Sequence, residues 1–289
     1  MKKQLVSLFL IFLLFPVIVM AAGHGHPREM KRGILLVAFG SSVPQAQVSF
    51  DNMDARVKKE FPNTPVHWAF TSHIIRKKLA KQGRQLDSVA MALAKMMDQG
   101  FTHVAVQSLH TIRGEEFDDL IHTAHAFAGM PGGIKRIRMG APLLSSPKDM
   151  EDVTAAIIEN IPAQRKKGEA FVLMGHGTPH PSNAFYAALM FNLQRKDPLI
   201  FVGTVEGAPT LDDISAMLRE NNIKHIYLTP FMSVAGDHAR NDLAGDEKDS
   251  WKSILQGQGF TCTFVLKGTA EYNNMIDIWV NHLKTAMAD

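Results

Sequence analysis

The sequence predicts an α/β protein of two similar lobes, each a four-stranded parallel, doubly wound sheet with flanking helices. Two observations predict it. Eight apolar runs of strand length alternate with amphipathic stretches whose apolar residues fall three and four apart, and the second half of the chain repeats the pattern of the first.

Taken in order, the first run is 34–39 (ILLVAF), continuous rather than alternating, as a strand buried on both faces must be. Ala46, Phe50, Met53, Val57 and Phe61 then follow at helical spacing. The second run is 66–71 (VHWAFT), and a helix face from Met91 to Met97 precedes the third, 103–109 (HVAVQSL). His122 and His125 fall on the next helix, before 134–139 (IKRIRM). The junction GAPLLSSPKDMED runs straight into another helix. The second set of runs is 170–174 (AFVLM), 200–205 (IFVGTV), 225–231 (HIYLTPF) and 261–266 (TCTFVL). NAFYAALM has helical spacing, with Phe185 four residues before Leu189, and Ile276, Trp279, Leu283 and Met287 mark a closing helix.

The duplication is visible residue by residue. GILLVAFGSS (33–42) aligns with AFVLMGHGTP (170–179), and HVAVQSLHTIRGEE (103–116) aligns without gaps with HIYLTPFMSVAGDH (225–238), so Phe39 corresponds to His176 and Glu116 to His238. The lobes are expected at about 31–144 and 145–289, the second carrying the metal site. A single eight-stranded sheet is the competing architecture, because no Pro/Gly/Ser-rich linker separates the halves.

At 289 residues and 46% apolar content the chain is an ordinary globular one, long enough for one large or two medium domains. Residues 1–22 differ in kind: Lys2 and Lys3, an apolar run from Leu5 to Met20, then Ala21 and Ala22. This is the pattern of a secretory signal peptide, shorter than a bilayer span. The mature chain is expected to begin near Ala22 or Gly23, to be periplasmic, and to keep no stable membrane anchor. Removing the two lysines of that leader from 31 Lys and Arg leaves 29 against 28 Asp and Glu, a balance that argues against a nucleic-acid partner. The sole cysteine, Cys262, permits no internal disulfide.

Open parallel sheets bind ligands at the carboxyl ends of their strands. Three such ends in the second half carry metal-type side chains: His176 in GHG, Glu206 in VEG and His238 in GDH, each with glycine within two positions. Two imidazoles and a carboxylate at one opening would leave a coordination position free, as catalytic metal sites do. Phe39 and Glu116, the duplicated positions, do not repeat the set, as expected if that lobe became wall. A lone histidine after a strand is more often a turn residue than a ligand, so the weight lies on the set of three.

The GHG, VEG and GDHARND segments, with LLVAFGSS, QSLHTIRGEEF and LTPFMSVAGDHARNDLAGD, resemble the anaerobic cobalt chelatases, which insert cobalt into sirohydrochlorin and are related to ferrochelatases. The resemblance covers essentially the whole mature chain. It implies a lyase that holds its metal with two histidines and a glutamate between two lobes, roles that fall on His176, Glu206 and His238. His176 and His238 would also accept the pyrrole protons that the metal displaces. The metal is expected to be Co²⁺ as substrate, with Fe²⁺, Ni²⁺ and Zn²⁺ as competitors for the same donors.

A tetrapyrrole partner needs an apolar slot with polar ends. Phe39, Phe231, Met232 and Tyr186 are candidate walls, whereas Phe185 reads as core packing. Ser41, Ser42, Arg113 and Arg240 are candidate partners for the ring's carboxylates. Of the remaining histidines, His24 and His26 read as a frayed terminus with adventitious copper or nickel binding as the alternative, His122 and His125 as a solvated helix face with a surface metal or haem contact between subunits as the alternative, His103 and His225 as structural, and His180 as support for His176. The Met91–Met97 face would serve a homo-oligomer as well as a core. An exported carrier of metal or haem with the same shape is the competing function; phosphate-ester hydrolysis is weak, because Gly175 stands where an arginine would be needed.

Overall fold

The structure is a computed structural model that describes residues 28–288; the expected leader at 1–22, together with His24 and His26, lies outside the described residues. The first half runs β1 (Arg32–Ala38), α1 (Gln47–Glu60), β2 (Val66–Phe70), α2 (His73–Lys81), α3 (Val89–Asp98), β3 (His103–Ser108), α4 (Glu115–Ala126) and β4 (Arg136–Gly140). The second runs α5 (Pro147–Glu159), β5 (Ala170–Gly175), α6 (Ala184–Gln194), β6 (Ile200–Thr204), α7 (Leu211–Glu220), β7 (His225–Pro230), α8 (Trp251–Gly257), β8 (Thr261–Phe264) and α9 (Asn273–Met287). A π-helical turn, Ala239–Leu243, follows β7. Among the described residues no helix is long and apolar enough to cross a membrane.

The strands form two parallel four-stranded sheets, ordered β2-β1-β3-β4 and β6-β5-β7-β8, rather than one sheet of eight. The two orders are the same, as the duplication requires, and each reverses direction between its first and third strands. The crevice at that reversal lies beyond the carboxyl ends of β1 and β3 in one lobe and of β5 and β7 in the other.

Packing explains the continuous apolar runs. In β1, Ile34, Leu36 and Ala38 face the central core while Leu35 and Val37 face an outer one with α3 and α4. In β5, Phe171 and Leu173 face the same central core, and Ala170, Val172 and Met174 an outer one beside α7 and α8. The central core is shared by both lobes and takes Phe50 and Met53 of α1, Val153 and Ile157 of α5, Leu189 and Leu193 of α6, and Trp279 and Leu283 of α9. The fourth strand begins two residues later than the run at 134 suggests; Ile134 is instead buried at an isolated bridge to Ala128. Several helices begin at serine caps, among them Ser72, Ser88 and Ser146, whose hydroxyls accept from backbone N–H groups of the first turn.

Chain order assigns α9 to the second lobe, but it packs against β3 and β4 of the first sheet. Polar contacts fix it there. Nδ1 of His282 lies 3.0 Å from the Ala141 carbonyl and its Nε2 2.8 Å from Asp149, while Asp277 pairs with Arg56 and Lys284 with Glu60. The physical reason is the apolar stripe of α9, whose Trp279, Val280 and Leu283 are fully buried and cover the inner face of the first sheet.

Candidate metal centre in the interlobe cleft

The site begins with the loop after β5. Gly175 is there for its neighbour: a Cβ would sit 2.3 Å from the ring of Tyr186. Gly177 has φ +83°, and a Cβ on it would lie 2.0 Å from the Glu206 carbonyl oxygen. The loops after β5 and β6 therefore run in backbone contact, joined by the Glu206 amide donating to the His176 carbonyl at 2.7 Å and the Val205 amide to that of Gly175 at 3.1 Å. These glycines serve the packing of the loops, a nearer cause than room for a ligand. Beneath them Tyr186 is 2% exposed. Burial pushes its phenol up to about 12, against the amides of Gly177 and His176 that donate to its oxygen.

His176 and His238 meet across this floor, ring centroids 4.7 Å apart and planes at 89°. The Nδ1 of His176 faces the Gly177 carbonyl at 3.0 Å, and the Nδ1 of His238 faces the Asp242 carboxylate one turn along the π-helical segment. Both partners only accept, so in the neutral imidazole of either residue the proton sits on Nδ1 and the lone pair on Nε2. A histidine oriented by a carboxylate or a carbonyl in this way is prepared as a metal ligand. The Glu206 carboxylate is 3.9 Å from Nδ1 of His176 and 61% exposed. Among the described residues, accordingly, no three His, Cys, Asp or Glu side chains close around a common point as they lie.

The first lobe supplies the opposite wall of a cleft of about 470 Å³, with Phe39 and Ser41 after β1 and His110 and Glu116 after β3 facing His176, Glu206 and His238. Nε2 of His110 lies 3.1 Å from Glu116, and Nδ1 of the same ring meets the hydroxyl of Ser108. That hydrogen bond from His110, aided by the charges of His110 and His176, holds the Glu116 carboxyl below its ordinary value although burial opposes it. An ionised carboxylate therefore faces the two imidazoles.

Residues 32–288 match the sequence model of the family described as cobalt chelatase (CbiK). This chain belongs to the cobalt chelatase family. It is 46% identical over 263 residues to the sirohydrochlorin cobaltochelatase CbiKC of Nitratidesulfovibrio vulgaris, covering 91% of this chain and 93% of that one. It is 34% identical over 260 residues to the sirohydrochlorin cobaltochelatase of Salmonella typhimurium, covering 89% and 97%. The fold matches that of SirB from Bacillus subtilis with Fe³⁺, at a TM-score of 0.61 and 16% identity over 90% of this chain and 96% of that one.

Within this cobalt chelatase family member the other residues expected at the ring divide clearly. Phe39, Ser41, Ser42, Met232 and Tyr186 line the cleft, and Phe185 packs against the central core. Phe231 does not line it: it is 1% exposed and meets the edge of Tyr186 in the core. Arg113 turns outward to Asp118 at 2.6 Å, and Arg240 is half-buried on the π-helical turn, away from the lining. His180 faces Ser182 and, at 3.8 Å, Asp118 of the first lobe, rather than supporting His176. His225 is fixed by Glu169 and Thr263, whereas His122 and His125 are exposed.

Sequence reasoning missed His110 and took Glu116 for wall. The signal was present in the gapless alignment, which sets Glu116 opposite His238, a titratable group matched with a titratable group. Lys78 and Ile74 of α2 were also missed at the cleft.

Proposed function

We propose that this chain is a sirohydrochlorin cobaltochelatase, inserting Co²⁺ into the macrocycle within the interlobe cleft. The observation that carries the reading is the meeting of the His176 and His238 rings, 4.7 Å apart, in a cleft whose opposite wall holds an ionised Glu116. Glu206 completes the donor set by turning about its own side-chain bonds, a movement its exposure leaves free. Co²⁺ is then held as substrate by two imidazoles and one carboxylate, loosely enough to be given up. Fe²⁺, Ni²⁺ and Zn²⁺ compete for the same donors.

Insertion breaks two pyrrole N–H bonds and forms metal–nitrogen bonds, so two protons must leave. As the metal moves to the ring, the Nε2 lone pair of His176 is released and takes one proton. Glu116, a carboxylate already near that ring, takes the other and returns it to water through the open cleft. Phe39 and Met232 supply apolar contact for the ring faces. Cys262 is no rival ligand, since burial pushes its thiol up to about 11 and keeps it protonated.

The test is the visible spectrum of sirohydrochlorin mixed with Co²⁺ and the mature protein, wild type and His176→Ala. Turnover lost in the variant supports the reading; turnover retained overturns it. The leader pattern at 1–22 supports export, tested by sequencing the amino terminus of the chain in the periplasmic fraction; a full-length chain confined to the cytoplasm would refute it.

A further inference from the structure

The cleft is unevenly charged. Glu115, Glu116, Glu206 and Asp237 line it together with the histidines, whereas the α2 wall presents a cation, Lys78. Lys78 is the only lysine or arginine among the described residues that line the cleft, and its ammonium has no ion-pair partner among them. One turn earlier on the same helix face stands Ile74, which also lines the cleft and is 67% exposed. Neither side chain is explained by packing, since Leu79 is the one fully buried residue of α2. An exposed branched apolar group beside an unpaired ammonium matches the rim of a ligand that is apolar over its face and anionic at its edge.

We propose that Lys78 takes a peripheral carboxylate of the tetrapyrrole while Ile74 lies against the ring's rim, so that α2 decides which edge points away from the metal donors. This rests on the chelatase reading above. Attraction at Lys78 and repulsion from the acidic end act in the same direction, because a carboxylate-bearing edge is drawn to one end of the cleft and kept from the other. Rings with many peripheral carboxylates should therefore be preferred to rings with few.

The test is the dissociation constant of metal-free sirohydrochlorin, read by its absorbance change, alongside steady-state kinetics. Lys78→Glu should raise the ring Kd and the ring KM about tenfold at low salt, with the difference shrinking as salt screens it. Lys78→Arg should keep both near wild type, while kcat at saturating ring and the KM for Co²⁺ stay unchanged. A ring Kd within twofold of wild type in Lys78→Glu overturns the proposal. Weakened ring binding without turnover in either protein would sink the chelatase reading and leave this one standing; brisk turnover with unchanged ring affinity would do the reverse. A wild type that binds no ring refutes both.

Discussion

His176 and His238 stand edge to face at 4.7 Å, each with its Nδ1 committed to a separate acceptor, so that Nε2 is the ring nitrogen each has left for a ligand. Either His→Ala substitution should abolish cobalt insertion. Both rings are about two-fifths exposed, so neither loss opens the core, and the thermal midpoint should stay within a few degrees of wild type. Spectrophotometric turnover and a melting curve on the same sample check both halves of the statement.

In the proposed site Asp242 touches Nδ1 of His238 and would act through that ring rather than on the metal. Asp242→Asn keeps the shape but replaces a charged acceptor with an amide, and metal affinity should fall about 10- to 100-fold. Titration of Co²⁺ against the variant, with sirohydrochlorin absent, measures this directly; unchanged affinity would mean that the carboxylate does nothing for the ring it touches.

Gly177→Ala should damage the site more than its size suggests. The new methyl would need a backbone conformation that alanine rarely adopts, and it would strike the Glu206 carbonyl at 2.0 Å. The loops after β5 and β6 must part, which displaces His176 and Glu206 together. Loss of turnover with a lowered midpoint is expected, in contrast to the clean catalytic loss of His176→Ala.

Asp149 gives a pH dependence with a defined sign. Burial alone would raise this carboxyl, but hydrogen bonds from Ser145 and His282 outweigh it and hold it below its ordinary value. A carboxyl lowered in the folded state stabilises the protein above its unfolded value, near 3.9, and that contribution is lost as pH falls through the folded value. Asp149→Asn should therefore cost about 3 kcal/mol at pH 5, with the gap to wild type closing below pH 4. Urea midpoints measured between pH 5 and pH 3 would show it; a gap that widens on acidification would contradict the assignment.

Much of this was legible in the sequence, and the exceptions have physical causes. Parallel strands buried on both faces have to be written as unbroken apolar runs, so all eight could be found, with ends misplaced by a residue or two. That His176, Glu206 and His238 would share one cleft was legible because the fold forces strand-end loops onto one edge. Arg113 was misplaced because sequence does not say which cation is already paired: Asp118, five residues beyond it, had taken it. Arg240 lies on the π-helical turn and outside the cleft lining. Phe231 was misjudged by phase, since it follows the end of β7 and turns toward Tyr186 rather than the cleft. Lys78 was hidden in HIIRKKLAK, which reads as an ordinary basic surface helix. The docking of α9 was beyond reach, because an apolar stripe at helical spacing fits either sheet equally well.

That last helix dictates the order in which the protein can be completed. The inner face of the first sheet is covered in part by Trp279, Val280 and Leu283, which leave the ribosome more than a hundred residues after β4. At ordinary elongation rates of about 5–20 residues per second, the amino-terminal half waits roughly ten seconds with part of its interior bare. A nascent chain stalled before Asn273 lacks that cover and should be open to proteases in its first half.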